Sequence, residues 1–311
     1  MKVAIIGAGN VGSACLLALV MRGPACEIVM IDRNHDRAKG VVTDLQYGAT
    51  LSPPARLHAG DYADLAGAML VMITAGVNEK AGGATDRGDP AGRLKLLETN
   101  AAVYRDIVPK VIAAAPDAVI LAITDPPDPL ANLARRLAGH DRVLSSGTAL
   151  DSLRFRFHLA RRLGINPMSV AAQVLGEHGT SQVFLWSSAR ISGMPVSAAL
   201  ARAGQSYDQL RTDVENDVRY ANITIIEGTG ASQFGIGMVA ARIAEAIVRD
   251  EHCVMPIGSF IPGYRTTLSL PTVVGRQGVV CVLEPEISDA ERDQLDQSAE
   301  TLRQASAGLA G

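Results

Sequence analysis

The chain has 311 residues, of which 48% are hydrophobic and 20% charged, with a formal net charge of −3. This is the composition of a soluble globular protein with a substantial core. Without a basic run or an aromatic-interleaved basic stripe, nucleic acid is excluded as a partner. No window reaches the roughly 18 uninterrupted apolar residues of a membrane span. Four scattered cysteines, Cys15, Cys26, Cys253 and Cys281, lack C-x-x-C spacing. They read as buried thiols of a reducing cytoplasm, and no metal site is expected.

The chain opens with an apolar run, residues 2–6, that glycine cuts short with no small-residue cleavage site after it; it reads as a strand, not a secretory signal. Continuous apolar runs recur at 27–31, 69–74 and 118–123, with helical patterns such as 12–22 and 94–115 between them. Strands buried on both faces and alternating with helices predict right-handed crossovers and a doubly wound parallel sheet. Gly7, Gly9 and Gly12 form G-x-G-x-x-G at the junction of the first strand and helix. Such glycines permit a tight turn, a close backbone approach to a diphosphate and close helix packing. Asn10 and Val11 lie inside this loop, and Asp32 closes the second strand, where a carboxylate accepts ribose hydroxyls. Asp32 also favours NAD over NADP, although Arg33 and Arg37 nearby leave some tolerance for a 2′-phosphate.

Residues 75–93, AGVNEKAGGATDRGDPAGR, hold five glycines and six charged residues. No helix or strand with a buried face follows from such a stretch, and a loop of this length is a functional lid or disorder. Beyond residue 148 the texture changes to helical segments at 151–164 and 197–228, then short strands at 266–275 and 278–283, which predict a second, α+β domain over 149–311. Residues 288–307 form a charged amphipathic pattern, for which a surface helix suffices. In the second half, Asp151 and Arg154 stand three apart on one helix face, and LGEHG supplies His178. A histidine oriented by a carboxylate can exchange a proton with an alcohol, and an arginine fork suits a substrate carboxylate.

GAGNVG, VMID, TAG at 74–76, GRLKLLETN at 92–100, GTALDSLRFR and LGEHG stand in the order, and near the spacing, of one family. The chain resembles the lactate and malate dehydrogenases over essentially its whole length. The resemblance implies that His178 is the acid/base, Asp151 its orienting partner, Arg154 the carboxylate fork and Arg93 the group that polarises the carbonyl. It places Thr74, Ala75, Gly76, Asn100, Ile123 and Thr124 along NAD, a Rossmann-type domain over 1–148, and a homodimer or homotetramer as the assembly. The loop at 75–93 becomes the family's lid, carrying the residue that selects the substrate.

Three departures from the family pattern stand out. Asp125 replaces the usual asparagine, and an ionised carboxylate cannot donate to a substrate oxygen; only a buried, protonated carboxyl takes the amide's part. Thr180 follows LGEHG where aspartate is usual, and Ser232 discriminates poorly between lactate and malate enzymes. The lid is about eight residues longer than in ordinary members of the family it resembles, judged by the spacing from Gly76 to Arg93. Aligned from its left, Glu79 takes the specificity position; aligned from its right, Arg87 does. The left register keeps more matches and predicts a cytoplasmic NAD-dependent L-2-hydroxy acid dehydrogenase of lactate type. The right register predicts malate dehydrogenase. A homologue that binds NAD without turnover is a third reading, against which Arg93, Asp151, Arg154 and His178 argue.

Overall fold

The apolar runs of the first half become strands because neither of their faces offers a polar side to solvent. The computed structural model describes residues 1–77, 95–203 and 206–309. Its first six strands are β1 (Lys2–Ile6), β2 (Glu27–Ile31), β3 (Arg56–Ala59), β4 (Ala68–Ile73), β5 (Val119–Ala122) and β6 (Val143–Ser145). They run parallel in the order β6-β5-β4-β1-β2-β3. Helices α1 (Asn10–Arg22), α2 (His35–Ala49), α3 (Leu97–Ala114) and α4 (Pro127–Ala138) supply the crossovers. Leu16 and Leu19 of α1 pack on one sheet face with Ile5 and Met30. Tyr104 and Val108 of α3 and Leu130 of α4 pack on the other, with Ala4 and Val71. The doubly wound sheet is therefore present.

The second half is helical first, as expected: α5 (Ala149–Leu163) ends at Gly164, which takes φ 64°. The stretch expected as one helical region over 197–228 is three helices, α6 (Val196–Ala203), α7 (Tyr207–Arg219) and α8 (Ala221–Thr229), followed by α9 (Phe234–Arg249). Ser206 caps α7 by accepting from the Gln209 N–H, which fixes a helix start inside the run. Short strands β7 (Val170–Ala171), β8 (Val174–Leu175), β9 (Val183–Phe184), β10 (Arg190–Ile191) and β11 (Met194–Pro195) pair locally. The hairpin of β8 and β9 frames the LGEHG loop.

Strands stand at 266–275 and 278–282, as expected, but a further strand that was not expected precedes them and ties them to the first sheet. β12 (Cys253–Ile261), β13 (Thr266–Gly275) and β14 (Gly278–Val282) continue the first sheet antiparallel, making nine strands among the described residues. β12 joins β6 where Gly258 faces Ser145. The helix α10 (Asp289–Ala307), closed by a Ser288/Glu291 capping box, is more than a surface helix: Leu295, Ala299 and Leu302 are in the core. The cysteines also differ from expectation. Cys15 is buried, Cys253 half-buried, and Cys26 and Cys281 exposed, because Cys26 lies just before β2 and Cys281 on the edge strand β14. Among the described residues no single helix is long and apolar enough to cross a membrane.

Candidate functional site

One pocket runs from the glycine loop to His178. At its first end, Gly7 takes φ 112°, and a Cβ there would stand 2.6 Å from the Ala75 nitrogen. A Cβ on Gly12 would stand 1.8 Å from the Gly7 carbonyl oxygen, whereas one on Gly9 would meet nothing within 4 Å. The loop is thus closed by its first and third glycines and open above its second, where α1 begins without a side-chain cap. That is the cradle a diphosphate needs. Asp32 holds the loop from below: its carboxylate accepts from the Ala8 N–H at 2.7 Å and the Asn34 N–H at 2.8 Å. Each oxygen keeps a lone pair for a ribose hydroxyl. Arg37 lines the pocket.

Behind the cradle, hydroxyl and amide side chains fix the backbone. Thr74 donates to the Gly7 carbonyl at 2.9 Å, and Thr124 to the Ala75 carbonyl at 2.9 Å. Asn100, fully buried, accepts from the Val77 N–H and donates to the Asp125 carbonyl, both at 2.7 Å. Asn100 and Ala75 therefore support the wall, while Gly9, Asn10, Val11, Thr74, Gly76, Ile123 and Thr124 line it.

The far end is built on α5. Asp151, with 2% of its side chain exposed, accepts from Arg154 at 3.0 Å on one oxygen and bonds His178 Nδ1 through the other. Spacing of three residues brings Asp151 and Arg154 together as expected. The other ring nitrogen of His178, Nε2, lies 3.9 Å from Asp125 Oδ1, and the Asp125 side chain is 26% exposed. Burial of Asp125 is thus only partial. Arg154, His178, Asp125 and Ser232 all line the pocket. The Thr180 carbonyl accepts from Arg219 at 2.6 Å, outside this constellation. Arg93, Glu79 and Arg87 lie outside the described residues.

Sequence reasoning passed over several residues that the fold brings here. Asp128, at the start of α4, accepts the His178 main-chain N–H at 2.8 Å and the Ser145 hydroxyl. Burial, the largest influence, pushes its carboxyl up to about 6 against the lowering effect of these bonds. Ser298 of α10 accepts from the Glu177 N–H at 2.9 Å. Ser146, Leu150, Asn222 and Ile236 join the pocket wall. Asp128 stands within the ITDPPDP segment that drew attention to Asp125; the others carry no spacing signal, since they arrive from the turn after β6 and from α5, α8, α9 and α10.

Comparison with known proteins matches this geometry. Residues 1–144 fit the model of the lactate/malate dehydrogenase NAD binding domain, and residues 148–308 that of the lactate/malate dehydrogenase alpha/beta C-terminal domain. The L-lactate dehydrogenase of Deinococcus radiodurans is 42% identical over 304 residues, covering 97% of each chain. That of Thermus aquaticus is 42% identical over 318 residues, covering 99% of each. A lactate dehydrogenase from a deep-sea metagenome library superposes with a TM-score of 0.91 at 31% identity, covering 100% of this chain and 99% of its own. A minor L-lactate dehydrogenase from Enterococcus mundtii gives 0.91 at 32%, covering 99% and 98%. The chain belongs to the lactate/malate dehydrogenase family, with an NAD-binding domain followed by the family's C-terminal domain.

Proposed function

We propose that the protein is an NAD-dependent L-2-hydroxy acid dehydrogenase of lactate type that reduces a small 2-oxo acid such as pyruvate, and the reverse. The observation that carries the reading is the Arg154, Asp151, His178 chain at the end of the pocket that starts on the glycine cradle. The loop at Gly9 and the start of α1 would hold the diphosphate of NAD and Asp32 its ribose; when bound, NAD would supply the hydride chemistry. His178, its Nδ1 proton held by Asp151, carries a second proton on Nε2. It gives that proton to the substrate oxygen in reduction and takes it back in oxidation. Arg154 binds the substrate carboxylate, and Arg93 polarises the carbonyl. Asn100 fixes the main chain at Asp125, and Asp128 that at His178.

The same reading takes 1–148 as the cofactor domain and 149–311 as the substrate domain, in a cytoplasmic homodimer or homotetramer. Exposed Leu17 and Met21 of α1 and Phe234 and Met238 of α9, on two packed helices, support the assembly. The test is a panel of 2-oxo acids with neutral, anionic and cationic side chains, followed by NADH oxidation. Pyruvate and its small neutral homologues are expected to exceed oxaloacetate in kcat/KM. Oxaloacetate as the best substrate, with that preference abolished in Arg87→Gln, would make the enzyme a malate dehydrogenase. No turnover with any member would leave an NAD-binding homologue.

A further inference from the structure

His178 stands between two carboxylates. Asp151 engages Nδ1, and Asp125 Oδ1 lies 3.9 Å from Nε2; His178 and Asp125 both line the pocket. We infer that Asp125 is an ion-pair partner of the His178 imidazolium in the substrate-free enzyme and that a 2-oxo acid binds by displacing it from Nε2. The inference rests on the function proposed above for its kinetic consequences, but the ion pair itself does not.

The Asp125 main chain is anchored, since its carbonyl accepts from Asn100 at 2.7 Å. Its side chain is 26% exposed and can turn toward solvent as a substrate oxygen enters. Among the described residues, the charged groups around His178 are Asp151 and Arg154 from α5, and Asp125 from the turn after β5. Asp128 from α4 accepts the His178 main-chain N–H, and Glu177 of the same loop binds Ser181. Among these described groups the carboxylates outnumber the Arg154 guanidinium, and Asp125 is the carboxylate nearest Nε2. Two effects follow. The protonated ring is favoured, so reduction persists to higher pH. The substrate oxygen must also break an existing pair, which weakens 2-oxo acid binding until the pair yields.

The test is the titration of the His178 ring by NMR in the wild type, Asp125→Asn and Asp125→Glu, with the signal assigned by its loss in His178→Asn. Pyruvate reduction across pH is measured on the same proteins. In Asp125→Asn the His178 midpoint should move about one unit to lower pH, with the alkaline limb of kcat/KM, as expected for removing one charge near 4 Å in a partly solvated site. On the acid side KM for pyruvate should fall about tenfold. Asp125→Glu, which keeps the charge, should restore a midpoint near the wild-type one. An unmoved midpoint in Asp125→Asn overturns the ion pair whether or not the enzyme reduces pyruvate. A shifted midpoint with an unchanged KM overturns the displacement step. A shifted midpoint in a protein that reduces no 2-oxo acid supports the ion pair and overturns the function on which its kinetic part rests. Misfolding of Asp125→Asn leaves the comparison to Asp125→Glu, whose longer reach must then alter KM if displacement occurs; an unaltered KM overturns it.

Discussion

Asp128 accepts the main-chain N–H of His178 and the hydroxyl of Ser145 while only 1% exposed. Burial raises its carboxyl from 3.8 to about 6, more than those two donors lower it. A carboxyl raised in the folded state favours folding below its unfolded value, and that contribution is lost as pH rises through its folded value. The window runs from pH 3.8 to about 6. Asp128→Asn keeps an acceptor for His178 and removes the titration. Its stability relative to the wild type should therefore rise between pH 4 and pH 7 by an amount on the order of 3 kcal/mol, at about 1.4 kcal/mol per unit. Urea denaturation of both proteins at a series of pH values measures this. A difference that stays constant with pH would mean that Asp128 does not titrate in this window.

At the scale of elements, the cradle depends on how tightly β1, α1 and the segment after β4 approach. Gly12→Ala would drive a methyl group against the Gly7 carbonyl, at 1.8 Å, and the backbone must move. Overpacking of this kind costs about 1 to 3 kcal/mol, and the shift also tilts the N–H groups that would face a diphosphate. The variant should fold with a lowered Tm and lose NADH affinity, read by fluorescence titration. Wild-type affinity would show that the glycine serves packing alone. These elements were legible in sequence because each carries its signal locally: an apolar run, three glycines and an acid at fixed offsets. β12 was not, because its residues, CVMPIGSFI, include proline and glycine and lack alternation. Its pairing with β13 supplies what local pattern does not. α10 read as a surface helix because charged residues dominate it, yet Ser298 reaches the loop that carries His178. A contact over 121 positions has no trace in periodicity.

Across the whole molecule, both family domains share a nine-stranded sheet, and the pocket takes its walls from both. Gly9, Thr74 and Asp125 come from the first and Arg154, His178 and Ser232 from the second. The pairing of Asp151 with His178 was legible as part of a motif set, and the structure places the two side chains in contact. The approach of Asp125 to the opposite ring nitrogen was not, since it depends on how the turn after β5 faces the hairpin of β8 and β9. The central claim is that cofactor binding resides in the first half and proton transfer at His178 in the second. The most direct measurement is the comparison of His178→Asn with the wild type in NADH affinity and in pyruvate reduction. The account predicts unchanged NADH affinity and a kcat lower by about two to four orders of magnitude, the usual contribution of a general acid. Reduction at the wild-type rate by His178→Asn would contradict it.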